Sequence, residues 1–208
     1  TGMNNEETYR STTAALSQYH ESLARANDLY NIGIGLAERY GGGLKMLGGE
    51  SQDAARQIIE GMDSSSAVVA SFGMTLEQSA GMVATLLQTG NYDSGKSAGS
   101  AISRSLAAME RGKPEEAMQK LGIAIHNNSK FLDELFQKWN TEVPGMGKSL
   151  GDIITSSVLS SALEPLKLLI NQVGEYKKAT EEAYELERSH PLDAAWKQFQ
   201  QTDATKMN

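Results

Sequence analysis

The helix-boundary signals between residues 73 and 122 constrain the fold more than any other part of the sequence. Thr75, followed three residues later by Gln78, forms a capping-box pattern, which predicts the start of a helix that carries apolar residues as far as Gly90. A second helix-sized segment follows a short turn and ends at Gly112. Two helices joined by a short turn predict a helical hairpin.

Small residues are unusually frequent on both of these helices. Asp93 is predicted to cap the second one. Because small side chains let helix backbones approach closely, the two helices are predicted to pack directly on each other through Ala80, Gly81, Ala84, Ala98, Gly99 and Ala101.

The turn between the two helices also contains the letters of a phosphate-binding loop. Gly90, Gly95, Lys96 and Ser97 satisfy G-x-x-x-x-G-K-[ST]. Such a loop requires a strand before it, and a later strand that ends in an Asp for magnesium. The capped helix before the turn contradicts that context, so we interpret the match as coincidental. We expect Lys96 to face solvent and to be dispensable, and Gly90 and Asp93 to shape the turn; a phosphate-loop ATPase or GTPase is the main alternative.

Two further patterns suggest chemistry without the context that it needs. Gly95 to Gly99 satisfies G-x-S-x-G, the nucleophile elbow, but this motif also requires a strand before its serine, here Ser97. Glu187-x-x-His190 is half of the carboxylate-histidine pair of di-iron bundles, and the second half is missing. We predict no catalytic residue, no cofactor and no metal site.

Helical spacing continues on both sides of this stretch. From Tyr9 to Tyr40, apolar and small residues recur every three or four positions, which predicts one long helix ended by three glycines at residues 41–43. Residues 51–62 and 65–72 predict two short helices separated by a cap at Asp63 or Ser64, with residues 64–66 on a solvent-facing surface.

The second half of the chain shows the same periodicity. Pro114 predicts the first turn of a short helix, and residues 129–139 predict a helix with a buried aromatic stripe. Residues 149–188 predict one helix with a kink at Pro165. We find no convincing period-two pattern, so the predicted class is all-α, with regions 1–43 (long heptad-patterned helix), 44–143 (compact core) and 144–208 (C-terminal helices).

Composition narrows the possible functions. The absence of cysteine excludes disulfides and thiolate chemistry, and a formal charge of -7 disfavours general binding to nucleic acid. The most apolar segment, 153–170, contains several polar residues, so we predict no membrane span, and the N-terminus lacks the features of a signal peptide. The abrupt termini suggest an excised fragment of a longer chain.

The succession of blocks from residue 72 to residue 123 resembles the core of phage tail tape-measure proteins. The blocks are FGMTLEQSA, LLQTG, AGSAISRSL and LGI, and their order and spacing match that core. The resemblance implies a long, mostly helical structural protein that lies in the tail tube, sets tail length and leaves during DNA delivery. The implied locations are the lumen of the virion tail and the host cytoplasm during assembly.

The resemblance implies protein partners rather than substrates. These are tail-tube, tail-tip and tail-assembly chaperone proteins, together with self-association through helices; no sequence-specific nucleic acid and no membrane are expected. A helical effector or interaction module unrelated to virions remains a second alternative. The expected partner-binding residues lie on the two apolar helices near the termini, namely Leu16, Tyr19, Leu23, Tyr30, Leu36, Leu163, Leu166 and Ile170.

Overall fold

The computed structural model describes residues 5–19, 26–44 and 51–189, which form α-helices and contain no β-strand. The predicted all-α class is therefore confirmed. The helices are α1 (Asn5–Gln18), α2 (Ala26–Leu44), α3 (Ser51–Ser71), α4 (Leu76–Gln88), α5 (Gly95–Met109), α6 (Lys113–Lys120), α7 (Phe131–Lys138), α8 (Leu150–Ser157), α9 (Ser160–Asn171) and α10 (Val173–Ser189).

Helix α4 lies at the centre of the fold and is buried around almost its whole circumference. It contacts α2, α3, α5, α9 and α10. A helix that is apolar or small-sided on every face is expected in such a position. The predicted capping box is confirmed: the Gln78 amide donates to Thr75 Oγ1 at 3.3 Å, and the Thr75 amide donates to Gln78 Oε1 at 2.9 Å.

Helices α1 and α2 both pack on α3. The predicted single helix from Tyr9 to Tyr40 is wrong, because α1 ends at Gln18 and α2 begins at Ala26; residues 20–25 lie outside the described ranges. The predicted stop at residues 41–43 is also wrong, since α2 includes all three glycines. Glycine has a low helix propensity, but tertiary context can override a propensity of this size.

Helix α3 is a single helix, so the predicted cap at Asp63 or Ser64 is wrong. The serines after Asp63 do not break it, because their hydroxyls bond back to carbonyls of the preceding turn. Ser65 Oγ donates to Gly61 O at 3.0 Å, and Ser66 Oγ donates to Asp63 O at 2.8 Å. Both serines are buried, which corrects the expectation of a solvent-facing surface.

The segment between α5 and α7 folds back onto the end of α3. Pro114 lies in the first turn of α6 as predicted, and Gly112, which was predicted to end the preceding helix, is the N-cap of α6. Further along, the Asn128 amide donates to Phe72 O at 2.8 Å, and the rings of Phe72 and Phe131 meet edge to face at 4.7 Å. These contacts bury the first turn of α7 against the end of α3, and the predicted burial of the aromatic helix is confirmed for Phe131.

The predicted helix over residues 149–188 is divided into α8, α9 and α10. The breaks lie at Val158–Leu159 and at Gln172, whereas Pro165 lies within α9, so the predicted position of the kink is wrong. Val158 has extended dihedral angles, and Gln172 ends α9 at φ -112° and ψ 28°. The helix is interrupted at these two breaks, and α10 packs on α2 and α4.

One apolar core joins residues from all three predicted regions. It includes Leu16 and Leu36 from the first, most of α4 from the second, and Leu163 and Leu186 from the third. The division into regions 1–43, 44–143 and 144–208 stays a prediction about how the sequence is organised.

Thr75 gives a test of how α4 is fixed, because its hydroxyl accepts the cap bond and also lies 2.8 Å from the Tyr184 hydroxyl on α10. We expect Thr75→Ala to lower the free energy of unfolding by about 2 kcal/mol, measured by urea denaturation. Thr75→Ser should retain most of the stability that Thr75→Ala loses, because serine keeps the hydroxyl. The exposed control Thr155→Ala should change it by less than about 0.5 kcal/mol. Equal effects of Thr75→Ala and Thr155→Ala would contradict this account.

Candidate functional site

The loop that carries the phosphate-binding letters connects two helices, α4 and α5. Gly90 has a φ of +72°, which lets the chain leave α4, as expected from its predicted role in the turn. The predicted cap at Asp93 is wrong by one residue. Ser94 is the N-cap, and its Oγ accepts from the Ser97 amide at 3.2 Å, while Asp93 Oδ1 accepts from Ser97 Oγ at 2.9 Å.

The backbone amides that would bind a phosphate at this turn already donate hydrogen bonds within the protein. The Gly95 amide donates to Gln57 Oε1 of α3 at 2.6 Å, and the Ser97 amide is taken by the cap. The Asp93 carboxylate also lies at the helix N-terminus, where it would repel an anion. Lys96 is exposed, as predicted. The turn is therefore built as a corner between helices rather than as an open cradle of amides.

Tyr92 anchors the same loop to the body of the protein. Its side chain is partly buried and packs against the apolar core. Burial, reinforced by the negative charge of Glu164, raises the pKa of Tyr92 to about 12. The tyrosine stays neutral near pH 7 and holds the loop by apolar contact.

The glycines of this stretch form a backbone-to-backbone crossing between α3 and α5. A Cβ on Gly95 would overlap Gln57 O, and a Cβ on Gly99 would overlap Gly61 O. One turn further along, Ser103 Oγ donates to Ser64 O at 3.0 Å. The nucleophile-elbow letters therefore form a helix-packing surface, defined here as the α3–α5 crossing: Gln57, Gly61, Ser64, Gly95, Gly99 and Ser103.

Helices α4 and α5 are joined by a short turn as predicted, but the predicted close packing between their small residues is wrong. Helix α5 packs much more extensively on α3 than on α4. Gly81 of α4 faces α10 instead, where an added Cβ would come within 3.0 Å of the Thr180 backbone nitrogen. The sequence shows that small residues permit a close approach, but it does not show which helix makes the approach.

The predicted partner-binding residues lie mostly inside this chain's own core. Tyr19 and Ile170 are partly buried and packed against the core. Leu23 lies outside the described residues, and the side chain of Tyr30 is not among those described. Contact between these residues and a partner stays a prediction, and for the fully buried ones it would require helices to separate. The fully buried ones are Leu16, Leu36, Leu163 and Leu166.

A buried polar cluster lies between α3, α4 and Tyr19, the residue that follows α1. Ser65 Oγ and Ser79 Oγ lie 3.3 Å apart, and Glu77 is also buried. Burial, helped by the Glu77 charge, raises the pKa of Tyr19 above its usual range. The hydroxyls of Thr12 and Tyr19 are buried without a hydrogen-bond partner. Sequence reasoning missed this cluster because Ser and Thr in helical segments resemble caps and exposed faces.

The described residues offer little for metal or membrane binding. Within the described ranges, no group of three or more His, Asp or Glu residues could hold a metal ion. His190, the histidine of the predicted half-motif, lies outside these ranges. None of the described helices is both long and apolar enough to cross a bilayer.

Comparison with known proteins supplies the deciding observation. The family model described as phage-related minor tail protein matches residues 1–159 of the 208. The chain belongs to this family. No curated protein and no solved structure gives a significant match.

Membership in the phage-related minor tail protein family supports a structural role in the phage tail and contacts with other tail proteins. The matched region contains α1 to α8 and therefore includes the α3–α5 crossing and the central helix α4. Helices α9 and α10 follow it. The predicted tail protein is thus confirmed at the level of the family, and the features that define its fold lie within the matched residues.

Gly99→Ala tests the α3–α5 crossing. The added methyl would overlap the Gly61 carbonyl, so α3 and α5 must move apart, and we expect a loss of about 2–3 kcal/mol in the free energy of unfolding. The matched control is Gly174→Ala, where the Cβ meets nothing within 4 Å, and this change should be neutral or stabilising. A Gly99→Ala protein as stable as the control would contradict the crossing.

Nucleotide binding tests the function of the turn. We expect titration of the chain with ATP or GTP and Mg²⁺, followed by calorimetry, to show no magnesium-dependent binding, because the Gly95 and Ser97 amides are already bonded. Lys96→Ala should give the same result as the unmodified chain. Tight magnesium-dependent binding that disappears in Lys96→Ala would establish the phosphate-loop alternative.

Proposed function

We propose that the chain is a helical segment of a tape-measure protein, which sets tail length and supports assembly of the tail tube. The observation that carries the proposal is the family match over residues 1–159, which includes the succession of blocks that resembles the tape-measure core. Closely packed helices are consistent with a structural component of the tail, because the glycine-rich turn serves helix packing rather than chemistry.

The proposed partners are proteins of the tail. We propose contacts with tail-tube and tail-tip proteins in the virion, contacts with assembly chaperones in the host cytoplasm, and release of the protein during DNA delivery. The net charge of -7 supports protein partners over general binding to the DNA backbone. A structural, non-enzymatic role follows from the proposal.

The buried apolar residues on α1, α2 and α9 would contribute to such contacts only after a rearrangement. Leu16, Leu36 and Leu163 are enclosed by their own chain in this structure. We propose that the compact arrangement is the state outside the tail, and that helices repack against neighbouring copies inside a narrow tube. A ligand or partner can favour a second arrangement only if it binds that arrangement better.

Tail length tests the proposal directly. Duplicating the 30 residues from 160 to 189 in frame, in the phage gene that encodes this chain, should lengthen the tail by about 45 Å if the added residues are helical in the tube. Electron microscopy of purified virions would measure the change. Virions that carry Lys96→Ala serve as the control and should keep the original length. Tails of unchanged length in the duplicated phage would contradict the length-setting role.

A further inference from the structure

Helix α10 closes a groove on the family-matched part of the chain although it lies outside the match. Its buried residues recur at spacings of three and four, as in a coiled-coil seam: Tyr176, Ala179, Ala183 and Leu186. The opposite wall has glycines where α10 comes closest. Leu186 lies over Gly35 of α2, and Thr180 lies over Gly81 of α4. The groove is therefore shaped for this particular helix.

The docking of α10 is incomplete in its polar contacts. Thr180 Oγ1 and Glu182 Oε2 are buried, and neither atom makes a hydrogen bond across the interface. Arg39 reaches the other oxygen of Glu182 at 3.4 Å, but more than a third of the Arg39 side chain is exposed. Buried polar groups without partners oppose docking, because they lose water and gain nothing in return. The interface combines a specific steric fit with a reduced net stability.

The joint between α9 and α10 is a single residue, Gln172, and the backbone hydrogen bonds on both sides of it keep helical spacing. The Gln172 amide donates to Leu168 O and the Tyr176 amide donates to Gln172 O, both at 2.9 Å, and both bonds have the spacing of an α-helix. Changes of about 50° in φ and 70° in ψ at Gln172 would join α9 and α10 into one straight helix. The amino-acid pattern itself predicts a continuous helix across this joint.

Helix α9 would stay in place during such a change. Ser105 Oγ of α5 donates to the carbonyl of Ala162, and Leu163 and Leu166 lie in the core. Contacts between α9 and α10 are few compared with those that α10 makes with α2 and α4. Straightening would therefore carry α10 away from its own groove as a rigid unit and leave the groove open.

We propose that α10 exchanges between copies of this chain, so that the straightened helix of one copy fills the groove of a second copy. An identical helix reproduces every contact that α10 makes within one chain, including the fit over Gly35 and Gly81. Exchange also adds the helical hydrogen bonds missing at the joint. The inference does not depend on the tape-measure role, since it rests on α10, its groove and Gln172.

Cross-linking between copies tests the exchange, because the chain has no cysteine of its own. Asp133 of α7 and Lys177 of α10 form an ion pair of 3.2 Å, and both side chains are more than half exposed. Asp133→Cys is placed in one tagged full-length chain and Lys177→Cys in a second, differently tagged one. The two are mixed at high concentration, warmed mildly, and treated with a short bis-maleimide.

The matched control replaces Asp133→Cys with Lys96→Cys, which is exposed on α5 rather than beside α10. We expect about tenfold more interchain product from the Asp133 and Lys177 pair than from this control, because docking holds the two thiols together at a high effective concentration. Light scattering should show the product as a dimer. Interchain product no greater than in the control would overturn the proposal.

Val173→Pro tests the hinge. Proline is tolerated at the first position of α10 but lacks the amide that a straight helix would bond to Leu169 O. Interchain product should fall to the control level, while a chain that carries both Asp133→Cys and Lys177→Cys should still cross-link internally. Gly174→Ala should act in the opposite direction, because alanine favours the interior of the straight helix. Interchain product unchanged by both substitutions would overturn the straightening at Gln172.

Discussion

The contact between the backbones of α3 and α5 is the constraint on which the rest of the fold depends. Gly61 and Gly99 let the two helices meet without side chains between them, and the Gly95 amide bonds to Gln57 across the same surface. Helices normally pack at a distance set by their side chains. By removing these side chains, the crossing draws α5 toward α3, and it thereby fixes the exit of the α4–α5 turn and leaves the other faces of α4 for α2, α9 and α10.

Burial of α4 on all sides explains why polar groups occur inside the fold. A central helix with five neighbours cannot keep a solvent face, so Glu77 and Ser79 on it are enclosed. The Ser65 hydroxyl of α3 lies 3.3 Å from that of Ser79, and the buried hydroxyls of Thr12 and Tyr19 have no hydrogen-bond partner within normal distance limits. Buried polar groups with incomplete hydrogen bonding weaken an interface. Helix α1 is thus held by apolar residues such as Leu16 against a partly polar surface.

The starts of individual helices could be predicted from the sequence, whereas the packing between helices could not. The Thr75–Gln78 capping box and the start of α6 at Pro114 were predictable because each depends on residues a few positions apart. The helix that packs on each small-residue face was not predictable. Gly81 and Gly99 look alike in the sequence, but Gly81 packs on α10 and Gly99 packs on α3. The positions of the helix breaks were predicted wrongly for a related reason. Gln172 carries no helix-breaking signal, and the break there reflects the docking of α10.

A phosphate-binding loop and a helix-packing corner differ in the acceptors to which the backbone amides of the turn donate. A phosphate loop must leave successive amides unbonded until the anion arrives, and it must keep negative side chains away from them. A helix-packing corner satisfies the same amides internally, as Gln57 does for Gly95 and Ser94 does for Ser97. A pattern of glycines, lysine and serine cannot distinguish these cases, because the deciding residue, Gln57, lies on another helix. For glycine-rich turns in helical proteins, the hydrogen-bond acceptors supplied by neighbouring helices therefore decide between ligand binding and packing.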